Sequence, residues 1–222
     1  MARITLSGIR TIYFDFDGTI HESNRVYAPA FSKAYRYLVE EGKAEDRTFT
    51  DREISVWLGY SRTEMWKTFM GHLEEDYRKA AGEMIGRTMR EGIEEGTARL
   101  YEGAGQVLSE LKRRGYVLVF LSNCGRKYME TSSRAFGLEK YFDSMICSED
   151  HGYIPKDEIL KTVMGSFPMG QVIVGDRFHD VESGVRNGIP SIFCEYGYGS
   201  LDEGKDATYR IKDIRELLDI LP

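Results

Sequence analysis

Residues 11–20 are Thr-Ile-Tyr-Phe-Asp-Phe-Asp-Gly-Thr-Ile, an apolar run that stops at two carboxylates. Ile9–Phe14 has the β-branched and aromatic character of a strand buried on both faces, and such a strand needs parallel neighbours and covering helices. Asp15 and Asp17 are spaced i, i+2, which puts them on one side of an extended backbone, and Gly18 starts a turn. Two acids at the end of a buried strand are costly unless a cation, a proton or hydrogen bonds compensate them. The simpler alternative is a strand that runs out into a solvated acidic turn. The rest of the chain decides between the two.

From Leu100 onward helical and strand-like segments alternate. Helix 104–114 precedes strand Tyr116–Leu121, helix 126–136 precedes Ser144–Cys147, and helix Lys156–Met164 precedes Gln171–Val174. Helix 179–186 then precedes Ser191–Cys194, and a short strand Tyr209–Ile211 leads into helix 213–221. This alternation predicts an α/β fold with a doubly wound, Rossmann-like parallel sheet. Between positions 21 and 96 the only periodicity is helical. Ala30, Ala34, Tyr37 and Leu38 lie on a segment opened by Pro29 and closed by Gly42. Thr50 and Glu53 have capping-box spacing. After a break at Gly59-Tyr60-Ser61, Met65, Trp66, Phe69, Met70 and Leu73 form a stripe, and Met84, Ile85 and Met89 form another that ends near Gly92 or Gly96. These stripes are read as the core of a small helical bundle. Residues 1–20 and 97–222 are therefore expected to form the α/β core, with 21–96 inserted as an α-helical cap domain.

The formal net charge of −6 and the absence of a basic stripe exclude a nucleic-acid surface. No stretch approaches a membrane span and MARITLSGIR contains no apolar signal segment, so no membrane partner and a cytoplasmic location are expected. Cys124, Cys147 and Cys194 form no CxxC pair; Cys147 and Cys194 sit in apolar runs as reduced core residues. A monomer or homodimer is expected.

In open α/β sheets, ligands bind beyond the carboxyl ends of the strands. Those ends carry Asp15 and Asp17, then Ser122 and Asn123, then Asp176, with Asp180 one helical turn later. Ser122 or Asp176 alone is explained as a helix cap, but three such coincidences at one sheet edge are not. The clustered acids repel one another, and the natural compensation is a hard divalent cation such as Mg²⁺.

DFDGT, Leu-Ser-Asn at a strand end, a lysine before a helix and GDRFHD together resemble the haloacid dehalogenase-like hydrolase superfamily. The closer likeness is to its helical-cap branch of phosphoglycolate phosphatase-like and β-phosphoglucomutase-like members. The resemblance covers roughly residues 8–20 and 98–222. It implies that Asp15 is a nucleophile forming an aspartyl-phosphate and that Asp17 is the proton donor and acceptor. Ser122 and Asn123, with Gly18 and Thr19, would hold the phosphoryl group, and Lys156 would neutralise charge in preference to Lys161. Asp15, the Asp17 carbonyl and Asp176 would bind Mg²⁺, with Asp180 supporting the metal shell. Arg62, in a loop similar to the substrate-reaching cap loop of that branch, would clamp a second anionic group, and His21 would line the entrance. The chain departs from the pattern at Tyr153-Ile154-Pro155-Lys156-Asp157-Glu158, where many relatives have Lys-Pro, and at Glu102-Gly103 and His21-Glu22. The second acid, Asp17, favours phosphate esters over carbon–halogen substrates. The implied activity is Mg²⁺-dependent hydrolysis of a small phosphorylated metabolite. The alternatives are a β-phosphoglucomutase-like phosphomutase and a non-catalytic Mg²⁺- or phosphate-binding regulatory module.

Overall fold

The computed structural model describes residues 5–222; residues 1–4, at the start of the expected core segment, lie outside the described residues. The sheet is built around β1 (Thr11–Phe14), every residue of which is buried. It pairs in parallel with β2 (Val117–Ser122) on one side and β4 (Gln171–Gly175) on the other. β3 (Ser144–Cys147) lies outside β2, and β5 (Ser191–Cys194) and β6 (Tyr209–Ile211) continue beyond β4, in the order β3-β2-β1-β4-β5-β6 with parallel pairing throughout. This is the doubly wound, Rossmann-like arrangement, whose strand order reverses between β1 and β4. β1 is shorter than the expected Ile9–Phe14. The amides of Arg10 and Thr11 both donate to the Gly170 carbonyl, at 2.6 and 3.1 Å, so the chain enters from a turn before the ladder begins.

Alternate residues of β1 serve different cores. Ile12 and Phe14 pack with Leu118, Phe120, Val172 and Val174, whereas Tyr13 packs with Val119, Leu121 and Ile173. The connecting helices are α5 (Ala104–Arg113), α6 (Arg126–Phe136), α7 (Lys156–Val163) and α8 (Phe178–Asn187). The last expected helix, 213–221, is instead a 3₁₀ turn at Ile214–Glu216 followed by a four-residue α9 (Leu217–Ile220). The three cysteines are free thiols. Among the described residues, no helix is long and apolar enough to cross a membrane.

Between β1 and α5 lie α1 (Asn24–Glu40), α2 (Asp51–Ser55), α3 (Arg62–Phe69) and α4 (Glu75–Glu94). Pro29 does not open α1; it lies inside it. A proline removes one helical hydrogen bond, but burial of Val26 and Tyr27 and donation from the Asn24 amide to Tyr198 Oη at 2.9 Å hold the first turn in place. The Thr50 capping box is present in both directions: the Glu53 amide donates to Thr50 Oγ1 at 3.3 Å, and the Thr50 amide donates to Glu53 Oε2 at 2.9 Å. Thr50→Ala is expected to cost about 1 kcal/mol, read as a lower urea midpoint at unchanged slope.

The chain enters and leaves these helices side by side. The Glu22 amide donates to the Arg99 carbonyl at 2.9 Å, and the Tyr101 amide donates to the Ile20 carbonyl at 2.8 Å. His21 bridges antiparallel to Leu100 between them.

Candidate active site

Because Phe14 is in register with Phe120 and Val174, the next residues of the three strands reach the same edge together. There Asp15 and Asp176 are almost fully buried, and Asp180 joins them from the first turn of α8. One oxygen from each of the three carboxylates lies within 4.8 Å of the others. Lys156, the first residue of α7, is 2% exposed and donates from Nζ to Asp15 Oδ1 and Asp180 Oδ1, both at 2.7 Å. Asp180 Oδ2 accepts from the Arg177 amide at 3.1 Å, and Asp176 Oδ2 accepts from the Tyr198 amide at 2.6 Å. The chain approaches closely here: a Cβ at Gly18, whose φ is +85°, would sit 2.2 Å from Asp176 Oδ2.

One ammonium faces three carboxylates. Burial pushes the Asp15 carboxyl up from 3.8 to about 7; the Lys156 charge opposes the shift and Asp180 adds to it. Burial, reinforced by Asp15 and Asp180, also drives Asp176 well above the ordinary carboxylate range. Burial alone would lower Lys156, but the Asp15 and Asp180 charges outweigh it and raise its pKa. Asp15 Oδ2 and Asp176 Oδ1 are buried without a protein partner. Two orphaned carboxylate oxygens in an all-oxygen cluster with excess negative charge fit a hard divalent cation.

Asp17 lies apart from the cluster. Its Oδ1 accepts from the Tyr128 hydroxyl at 2.7 Å and lies 3.3 Å from His21 Nδ1. Asp17, Ser122 and Asn123 line a cavity of about 640 Å³ whose other wall carries Tyr60, Arg62 and Arg87. Asp15, Asp176 and Lys156 do not line that cavity, and the 56–60 loop is tied down by Asn123 and Arg177. The Asn123 side-chain amide donates to the Gly59 carbonyl at 2.9 Å. Arg177 donates to the carbonyls of Val56, at 3.1 Å, and Leu58, and its guanidinium lies over the Tyr60 ring. His179 Nε2 meets Glu64 at 3.1 Å on the same side.

Ser122, Asn123, Asp17 and Arg62 therefore share one cavity, and Asp15, Lys156, Asp176 and Asp180 form one cluster. Gly18 and Thr19 form the turn between the two groups, with the Thr19 carbonyl accepting from Tyr196 Oη at 2.8 Å. His21 is not at the entrance: it is 0% exposed, beneath Asp17. Sequence reasoning missed Tyr128 and Arg177. Tyr128 lies on the buried face of α6, where an aromatic reads as core, and Arg177 lies inside GDRFHD, where the flanking acids carry the signal.

Residues 12–194 match the family described as haloacid dehalogenase-like hydrolase. A phosphoglycolate phosphatase of Escherichia coli O157:H7 is 28% identical over 236 residues, covering 96% of this chain and 92% of that protein. A pyrophosphatase of Halalkalibacterium halodurans, PpaX, is 23% identical, with 96% of this chain and 97% of that protein covered. A 5'-nucleotidase of Pseudomonas aeruginosa is 27% identical over 129 residues; that match covers 55% of this chain and 58% of that protein. Among solved structures, a predicted phosphatase from Clostridium acetobutylicum superimposes with a TM-score of 0.80 at 23% identity, covering 95% of this chain and 97% of that one. The chain belongs to the haloacid dehalogenase-like hydrolase family.

Proposed function

We propose that this chain is a Mg²⁺-dependent phosphatase that hydrolyses a small phosphorylated metabolite, a sugar phosphate or phosphoglycolate-like acid, through an aspartyl-phosphate on Asp15. The observation that carries the reading is the pairing of a lysine-held, buried carboxylate, Asp15, with a second acid two residues on that faces a cavity. A carboxylate oxygen of Asp15 attacks phosphorus, the ester P–O bond breaks, and Asp17 gives its proton to the departing oxygen. Water then attacks the same phosphorus, Asp17 takes its proton, and the bond to Asp15 breaks. Lys156 fixes the nucleophile, and Ser122 and Asn123 hold phosphoryl oxygens once the 56–60 loop releases Asn123. Asp15, Asp176 and the Asp17 carbonyl, backed by Asp180, would hold Mg²⁺, which supplies charge neutralisation for the phosphoryl group. The names of the relatives, phosphoglycolate phosphatase and pyrophosphatase, support a hydrolase of phosphoryl compounds over a mutase.

Residues 21–96 act in this reading as a cap that excludes water. Arg62 and Arg87 face the cavity and make no ion pair among the described residues, which supports a substrate with a second anionic group. A cytoplasmic location is kept as part of the proposal.

The test is phosphate release from a panel of phosphate esters, including phosphoglycolate and sugar phosphates, and from the anhydride pyrophosphate, with Mg²⁺ and with EDTA. Release that requires Mg²⁺ and favours doubly anionic substrates is expected. A folded, Mg²⁺-binding protein that releases nothing would overturn the reading.

The metal also makes a stability prediction. Between 3.8 and about 7 the folded chain binds more protons at Asp15 than the unfolded chain does, so without metal this group's contribution falls as pH rises. Mg²⁺ needs the ionised form. Adding Mg²⁺ is therefore expected to raise the melting temperature more at about pH 8 than at about pH 5. Equal gains at both would contradict this.

A further inference from the structure

The Asp17 carboxylate sits in a hydrogen-bonded triangle that phosphoryl transfer does not in itself require. Tyr128 donates to Asp17 Oδ1 at 2.7 Å, and His21 Nδ1 lies 3.3 Å from that oxygen and 3.1 Å from Tyr128 Oη. The three residues come from the turn after β1, the segment entering α1 and the first turn of α6. All are buried, His21 at 0% and Tyr128 at 6% exposure. The His21 ring stacks on Phe16 with centroids 4.9 Å apart and meets Phe136 at 5.4 Å, so packing fixes its orientation. Burial and the neighbouring carboxylate push the Tyr128 phenol far above its ordinary value, so its hydroxyl keeps the proton it donates. A His21 tautomer with the proton on Nδ1 completes the chain, donating to Tyr128 Oη while Tyr128 donates to Asp17 Oδ1. One oxygen of Asp17 is then committed to protein. Asp17 nevertheless lines the cavity, which leaves Oδ2 as the oxygen open to a ligand.

Resting on the reading of Asp17 as proton donor, we propose that Tyr128 and His21 are positioning residues that hold Asp17 by Oδ1 and assign both proton transfers to Oδ2. In the first step the Oδ2 proton passes to the ester oxygen as the P–O bond breaks and its electron pair stays with the leaving group. In the second step Oδ2 accepts a proton from the attacking water. The Tyr128 hydroxyl, itself fixed by His21, holds one oxygen and stops the carboxylate rotating and presenting the wrong atom, and a misplacement of that kind is costly.

The test compares the wild type with Asp17→Asn, Tyr128→Phe and the double variant on two substrates. One is the best alkyl phosphate from the panel, whose leaving group needs a proton. The other is p-nitrophenyl phosphate, whose leaving group departs without one. Tyr128→Phe keeps the ring and removes only the donor. It is expected to lower kcat/KM for the alkyl ester roughly 10- to 100-fold through kcat rather than KM, and to change it for p-nitrophenyl phosphate by less than about threefold. In the Asp17→Asn background it should add nothing. His21→Leu should reproduce the selective loss, and His21→Asn, which keeps an N–H donor in place of Nδ1, should largely restore the alkyl rate. Equal losses on both substrates, additivity with Asp17→Asn, or no loss would each overturn the proposal. If Asp17→Asn itself fails to separate the two substrates, the proton-donor reading fails first and the positioning role falls with it.

Discussion

Asp15→Asn is expected to reduce phosphate release by roughly 10⁴- to 10⁶-fold while leaving the chain folded. The amide matches the carboxylate in shape, and its carbonyl oxygen still accepts from Lys156 Nζ. What it would lose, if Asp15 is the nucleophile as proposed, is the ability to form a bond to phosphorus at a useful rate. The same change removes one of three crowded buried charges. The variant should therefore be at least as stable as the parent near pH 7 without metal, because the parent keeps an Asp15 that burial has pushed up to about 7. Phosphate release and thermal melting in EDTA check the two halves. A loss of activity accompanied by unfolding would show that Asp15 is a structural residue and would remove the argument for its role as nucleophile.

The second large effect is expected at Lys156. Lys156→Met preserves volume but removes the single ammonium that bridges Asp15 and Asp180. Breaking a buried pair by deleting one partner costs about 3–5 kcal/mol, because charge is left uncompensated. Protonation of the carboxylates recovers part of that, so the loss should shrink as pH falls. Turnover should drop by at least ~10²-fold, because a dianionic phosphoryl group would meet an uncompensated acidic cluster. Lys156→Arg should rescue little, since a planar fork does not occupy the place of a compact ammonium between two carboxylates. Lys161, the other candidate read from the sequence, is exposed. Its replacement by alanine should change stability by less than about 0.5 kcal/mol. Urea unfolding at two pH values separates these outcomes.

Features that depend on neighbouring residues were readable from the chain. β3, β5, β6 and α6 begin and end at the expected residues, because apolar runs bounded by turns and a helix stopped by Gly137 are local signals. The four acids were readable as well, since residues at and just beyond parallel strand ends converge whatever the details of packing, whereas Lys156, at the start of α7, came only from the family resemblance. Features that depend on distant partners were not. The true start of α1 rests on Tyr198, 174 residues away, and Pro29 gave the opposite signal. Tyr128 reaches Asp17 across 111 residues from a position patterned as core. The last helix was overestimated because one apolar face fits a 3₁₀ turn and a short α-helix as well as a continuous helix. His21 looked like an entrance residue because it follows the motif, but the bridge to Leu100 turns it inward.

That bridge also limits how the molecule can move. Two chain segments that cross side by side, tied by hydrogen bonds from Glu22 to Arg99 and from Tyr101 to Ile20, resist shear and torsion between them but can bend together. A swing of the helices at positions 24–94 relative to the sheet would turn about the line through that paired crossing. A swing lifts the far side most. Leu58 and Gly59, held by Arg177 and Asn123, would act as the latch of that door, and each turnover would need it opened once to admit the ester and once to release the alcohol and phosphate.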